Sequence, residues 1–320
     1  MVRRMSSLTA NRNLVGILSL LLGVVVFSLQ DAIIKGISGD YPVTLAIVIR
    51  CLVALPILLA VVHLAVGVRK LATRNLGILV IRGVIMLGAY TTYFMALPAL
   101  PMAEAIALFF TVPIIITLLS GPILGERVGL KSWLAVITGF AGVLIILQPG
   151  SALFELAALF SLISAVCYAL SMLIARRIGV AEPTAVMAFY QNLIFLAGAG
   201  LFAIIFNLIG IHELGHPSLD FLVRQWVMPE TRDLLLMALC GVIAAAGTFL
   251  LTNAYRMAEA NLVTVFEYTG MIWSPLWGYL FFAEIPRWTT AAGTALIIAA
   301  GIYSARAAAQ APLEPADATA

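Results

Sequence analysis

From Leu14 onward the chain reads as runs of about 20 apolar residues, separated by short polar stretches that hold most of its charges. Within each run Leu, Ile, Val, Ala and Phe follow one another with no strict alternation. That pattern predicts membrane-spanning helices and argues against the strands of a barrel. Ten spans are expected, near 14–36, 42–66, 76–97, 102–124, 130–148, 152–175, 183–209, 232–257, 261–283 and 288–305. Most connections are short, so successive helices should be antiparallel neighbours; the longest, Gly210 to Thr231, is the exception. The apolar run from Leu14 leads into Gln30-Asp31 without a small-residue cleavage site, and it is read as a first span.

The pattern also repeats. Met102-Ala103-Glu104-Ala105 returns as Met257-Ala258-Glu259-Ala260, and Gly125-Glu126 before Trp133 returns as Ala283-Glu284 before Trp288. Each half holds five spans. Five is odd, so the second copy must enter the bilayer from the opposite face, which is the architecture of a secondary transporter with its site between the halves. The expected fold is an all-α integral membrane protein of ten transmembrane helices in two inverted five-helix repeats. Its expected parts are an N-terminal segment (1–13), a first repeat (14–148), a second repeat (149–306) and a disordered tail (307–320).

Composition agrees. The chain is 63% hydrophobic and only 10% charged, far below the roughly 25% charge of a soluble domain, so its surface faces lipid. A net charge of +3 scattered over short loops gives no footing for nucleic acid. Cys51, Cys167 and Cys240 all fall inside apolar runs and read as packing residues. With the N-terminus inside, the cytoplasmic side receives most Lys and Arg, from Arg3 to Arg306, and the other side only Lys35, Arg224, Arg232 and Arg287. This bias puts both termini in the cytoplasm. Gly121 and Gly125, and the small-residue runs at 139–142 and 197–200, allow close helix approach.

Charges inside spans are costly and mark candidate sites. Asp31 and Lys35 share a face of the first helix, and Arg50 lies at a depth similar to Asp31. These three are expected as a structural ion-pair set or as coupling residues, with Lys35 snorkelling to the interface. Arg82 and Glu267 come from opposite repeats at matching depth. They are either a neutralised pair or substrate ligands: the Arg for a carboxylate, the Glu for an amine or a proton. Glu104, Glu126, Glu259 and Glu284 sit at helix ends, where capping is the expected role. Tyr90, Tyr93, Phe110, Tyr268 and Trp273, with Phe109, Phe266 and Trp277, are candidates for an aromatic cavity wall. Pro113, Pro122 and Pro275 are expected to interrupt the fourth and ninth helices and to serve as gates.

In order and spacing these segments resemble the drug/metabolite transporter superfamily, specifically its bacterial EamA-type members. The resemblance is carried by Phe27 to Lys35, by Tyr41-Pro42 leading to Arg50, and by Ala103 to Pro113 leading to Leu124-Gly125-Glu126-Arg127. Gly139 to Ile146, Ala254 to Ala260 and Phe282-Ala283-Glu284 complete it. The resemblance implies an inner-membrane carrier of a small metabolite without a cofactor. Its partners are a small-molecule substrate and the lipid bilayer; monomer and homodimer stay open. An amino-acid-like cargo moved outward by alternating access is expected, with uptake of riboflavin or another vitamin or carboxylate as the alternative.

One motif points elsewhere. His212-Glu213-Leu214-Gly215-His216 matches the H-E-x-x-H zinc signature. Gly215 and Pro217 disfavour the helix that the signature needs, and no metal site is expected. An intramembrane zinc metalloprotease is the remote alternative.

Overall fold

The computed structural model describes residues 2–124, 130–148, 156–178, 182–257 and 267–309. Among them the regular elements are helices. In order they are α1 (Val2–Ile37), α2 (Val43–Ala65), a 3-10 turn (Val68–Leu71), α3 (Leu76–Ala96), α4 (Met102–Phe109), α5 (Val112–Leu124) and α6 (Leu130–Leu147). The second half supplies α7 (Leu156–Ile178), α8 (Thr184–Ile209), α9 (Pro217–Val223), α10 (Thr231–Met257), α11 (Gly270–Phe282) and α12 (Trp288–Ala309). Among the described residues seven spans are long and apolar enough to cross a membrane, and Val136–Leu147 and Trp288–Tyr303 are shorter apolar stretches. The chain is a multi-pass, all-helical membrane protein. The expected ten spans are reached only by counting the short ones together with α11, which has 13 residues.

Three boundaries differ from expectation. Helix α1 runs for 36 residues, about 54 Å at 1.5 Å per residue, so it starts within the expected N-terminal segment. Helix α12 extends to Ala309, three residues into the expected tail. The span at 102–124 is two helices, because Pro113 lacks an N–H and its ring crowds the carbonyl one turn back. The chain leaves the helix after Phe109 and restarts at Val112, and the Thr111 hydroxyl donates to the Leu108 carbonyl at 2.7 Å. Pro122 and Pro275, by contrast, lie inside helices that remain continuous. Each forfeits one hydrogen bond, a loss that membrane helices tolerate when neighbours re-satisfy the carbonyl.

Packing follows a two-fold rule. In order, α1, α2, α3, α4–α5 and α6 correspond to α7, α8, α10, α11 and α12. Helix α1 packs on α10 as α7 packs on α3; α2 packs on α10 as α8 packs on α3; α1 meets α11 as α7 meets α4 and α5. The pairs α2–α8 and α6–α12 join an element to its own counterpart. Single residues obey the same relation. Gly83-Val84-Ile85 recurs as Gly241-Val242-Ile243, and Gly83 receives Ile194 of α8 while Gly241 receives Val53 of α2. Pro42 and Pro183 stand at the starts of α2 and α8, and equal spacing from them makes Arg50 the counterpart of Gln191 and Cys51 that of Asn192. Asn192 Nδ2 donates to the Cys51 carbonyl at 3.0 Å, so this bond lies near the axis.

Small residues set the closest crossings. A Cβ on Gly142 would lie 2.7 Å from the Gly293 carbonyl oxygen, and one on Gly293 would lie 2.6 Å from that of Gly142. Helices α6 and α12 therefore touch backbone to backbone. Gly198, in the other expected small-residue run, receives Leu87 of α3. Gly125 lies outside the described residues.

One end of the bundle, marked by Tyr41, is laced across the halves. Lys35 Nζ lies 2.6 Å from Glu284 Oε1 and donates to the Leu100 carbonyl at 2.5 Å. Glu284 Oε2 also accepts the Met102 N–H at 2.8 Å, capping α4, whose own N-cap Pro101 makes no side-chain cap. Glu104, in the first turn of α4, holds Arg287 at 3.3 Å and accepts from Thr290 at 3.1 Å. Tyr41 donates to Asp233 at 2.9 Å, Trp226 to Thr44 at 2.9 Å and Arg224 to the Ser38 carbonyl at 2.6 Å. At the opposite end Glu182 accepts from Thr73 and Asn75. Glu126 and Glu259 lie outside the described residues.

Candidate substrate site

Four helices, two from each repeat, enclose a cavity of about 110 Å³ on the side away from Tyr41. Arg50 and Leu58 come from α2, Arg82 from α3, Gln191 and Asn192 from α8, and Thr248 from α10. The two arginines dominate its chemistry. Arg50 is 6% exposed and Arg82 8%, and Arg50 Nε and Nη1 and Arg82 Nε have no hydrogen-bond partner. Arg50 lies over the Tyr90 ring, 5.0 Å from its centroid, where a cation meets the negative ring face. A guanidinium stays protonated in any protein environment, and each buried donor left unmade costs about 1–3 kcal/mol. Such a cavity favours an anion with lone pairs to offer.

The sequence-predicted charges are placed differently from their expected pairings. Asp31 accepts from the Tyr93 hydroxyl at 3.0 Å. It feels the Arg50 charge through space, yet no ion pair joins the two among the described residues. Arg50 points instead at Tyr90 and the cavity. Lys35 is not directed to solvent alone: its side chain is 10% exposed and paired with Glu284 of the second repeat. Arg82 and Glu267 make no ion pair with each other among the described residues; Tyr168 lies within electrostatic range of both.

The aromatic residues do assemble, but mostly as packing. Phe195, Tyr90, Phe94, Tyr93 and Phe109 form a run of rings with neighbouring centroids 5.1–6.0 Å apart. Phe109 continues it to Phe110 and Tyr168, and Phe110 meets Tyr268 at 5.6 Å. Of these rings only Phe195 lines the cavity, with Tyr90 directly behind Arg50. Trp273 stacks on Trp277 at 6.0 Å along α11, and Trp277 Nε1 donates to Ser28 Oγ at 2.9 Å. That stack joins α11 to α1 and is not part of the cavity wall. Phe266 lies outside the described residues.

Sequence reasoning missed Gln191, Asn192 and Thr248, which are uncharged and sit among apolar neighbours. The signal for the first lay in the shared spacing of Arg50 and Gln191 from Pro42 and Pro183. The zinc-like motif fails on geometry. Residues 211–214 are not helical, Gly215 has φ +76°, and His216 is the N-cap of α9, its Nδ1 accepting from the Ser218 N–H. The two histidines therefore do not share a helix face, as that signature requires.

Comparison with known proteins agrees with the fold. The family described as the EamA-like transporter family matches residues 14–148 and 155–305. A pseudopaline exporter from Pseudomonas aeruginosa is 29% identical over 293 residues, covering 91% of this chain and 96% of that protein. A riboflavin transporter from Rhizobium johnstonii is 32% identical over 211 residues, covering 66% of this chain and 64% of the other. An S-adenosylmethionine uptake transporter from Rickettsia prowazekii is 24% identical over 237 residues, 74% of each. One crystal structure, 20% identical, superposes with a TM-score of 0.62 over 94% of this chain and 98% of its own, which establishes the shared fold.

Proposed function

The chain belongs to the EamA-like transporter family, and from that membership we propose that it exports a small amphipathic, amino-acid-like metabolite by alternating access. The cargo sits in the cavity between the repeats. The observation that carries this reading is the pair of buried guanidiniums, with unpartnered N–H groups, in a space walled by both halves. The lysine and arginine bias supports a Tyr41 end facing outward and both termini in the cytoplasm, and the bacterial relatives support an inner-membrane setting. In that frame the laced Tyr41 end is a closed outer face and the cavity lies toward the cytoplasm, where an exporter loads. Rocking of the halves about their two-fold axis then exchanges which side is closed. Vitamin uptake is the second reading, favoured by the similarity to a riboflavin transporter and by the Phe195 ring in the cavity wall.

Purified protein in liposomes loaded with amino acids, carboxylates, nucleosides and riboflavin tests both. Selective efflux of one class is expected. Arg82→Ala, checked for folding by gel filtration, should lower it about 10- to 100-fold, the loss of one charge-assisted hydrogen-bonding group. Undiminished efflux in that variant would move the site toward Glu267 and the rings of α11. Selective uptake of riboflavin would favour the second reading.

A further inference from the structure

We propose that the cavity binds a small molecule bearing two acidic groups, one for each arginine, such as an acidic amino acid or a short dicarboxylate. This rests on the transporter reading and specifies the cargo of the same site. Helices α2 and α3 are antiparallel. Arg50 lies about 10 Å into α2 from the Tyr41 end, and Arg82 about 9 Å into α3 from the other, at 1.5 Å per residue. The two forks therefore enter one cavity from opposite ends along the bundle axis.

Each fork still has N–H groups to give. Among the described residues no acidic side chain lines the cavity, and Asp31, which feels the Arg50 charge, is held by Tyr93. Nor does the second repeat compensate: Gln191 stands where Arg50 has its counterpart, and Cys240, just before the repeated Gly-Val-Ile, stands where Arg82 has its own. A monocarboxylate occupies one fork and leaves the other unmade. Two carboxylates satisfy both, and bidentate Arg–carboxylate geometry favours each contact. Gln191 also lines the cavity and offers a neutral partner for an amine or hydroxyl.

The test is competition in proteoliposomes holding the full chain, with labelled glutamate as probe and succinate, glutarate, butyrate and leucine as competitors. Thermal stabilisation of the detergent-solubilised protein by each compound provides a second readout. Glutamate, succinate and glutarate should bind at least about 10-fold more tightly than butyrate or leucine, the value of one further charge-assisted contact. Arg50→Gln and Arg82→Gln should each erase that preference, and Arg82→Lys should restore part of it. A purely structural arginine would weaken every ligand alike. Equal competition by butyrate and leucine, or selective transport of a neutral cargo untouched by succinate, overturns the two-acid assignment and leaves the transporter reading intact. If none of these compounds, riboflavin or nucleosides moves or stabilises the protein, both fall.

Discussion

Replacing Gly142 with leucine is expected to abolish recovery of folded protein. At this position a new Cβ would already be 2.7 Å from the Gly293 carbonyl oxygen and 3.0 Å from Ile297 Cγ1. A flexible side chain could yield, but a backbone carbonyl in a helix cannot move without moving α12. Overpacking a core costs about 1–3 kcal/mol when neighbours can shift; with backbone as the obstacle, about 3 kcal/mol is the lower bound. The α6–α12 contact is the most extensive helix–helix contact in the bundle, so its loss separates the ends of both repeats. Gel filtration should show aggregate in place of the monodisperse peak. Gly200→Leu is the matched control, since nothing lies within 4 Å of a Cβ there. Indistinguishable profiles for the two variants would refute the backbone-contact account.

Glu284→Ala should open the Tyr41 end. The substitution strands Lys35, whose side chain is only 10% exposed, and uncaps α4 at Met102. The pair is partly exposed, at 10% and 19%, so removing one partner costs less than the ~3–5 kcal/mol of a fully buried pair, and that cost falls on the state in which the halves meet at that end. An impermeant maleimide added from that side reads the outcome through natural cysteines. Cys51 and Cys240 are both fully buried, on α2 and α10, and their labelling should accelerate about 10-fold, the equilibrium change that about 1.4 kcal/mol represents. The double variant Lys35→Met/Glu284→Met should regain stability without regaining closure, because it removes the lone charge but not the need for a clamp. Slow labelling in a folded Glu284→Ala protein would mean that the lacing only braces the fold.

What the sequence revealed, and what it hid, divides along physical lines. Spans were legible because each must satisfy its backbone within itself, and the repeat was legible because Met-Ala-Glu-Ala recurs. The break at Pro113 followed from a missing N–H. The same argument failed at Pro122 and Pro275, where neighbouring packing decides whether a helix stays continuous. Partners of charged residues were misjudged because depth along a helix says nothing about azimuth. Asp31 and Arg50 share a depth but turn to different tyrosines, and the true partner of Lys35 lies in the other repeat. The lining residues Gln191 and Asn192 were invisible to a search for charge, yet they stand where a two-fold superposition of Pro42 and Pro183 would have placed them.

Two guanidiniums fixed in hydrocarbon also stand in whatever voltage falls across the bilayer. Each elementary charge moved through the full field exchanges about 2.3 kcal/mol per 100 mV. Arg50 and Arg82 both belong to the first repeat, so under the alternating-access reading proposed above the rocking of that half would carry them together through part of the field. A bound two-acid cargo, as proposed above, would offset both guanidinium charges and leave the voltage little hold on them. The empty carrier would keep both charges, and the membrane potential would favour their return toward the negative side.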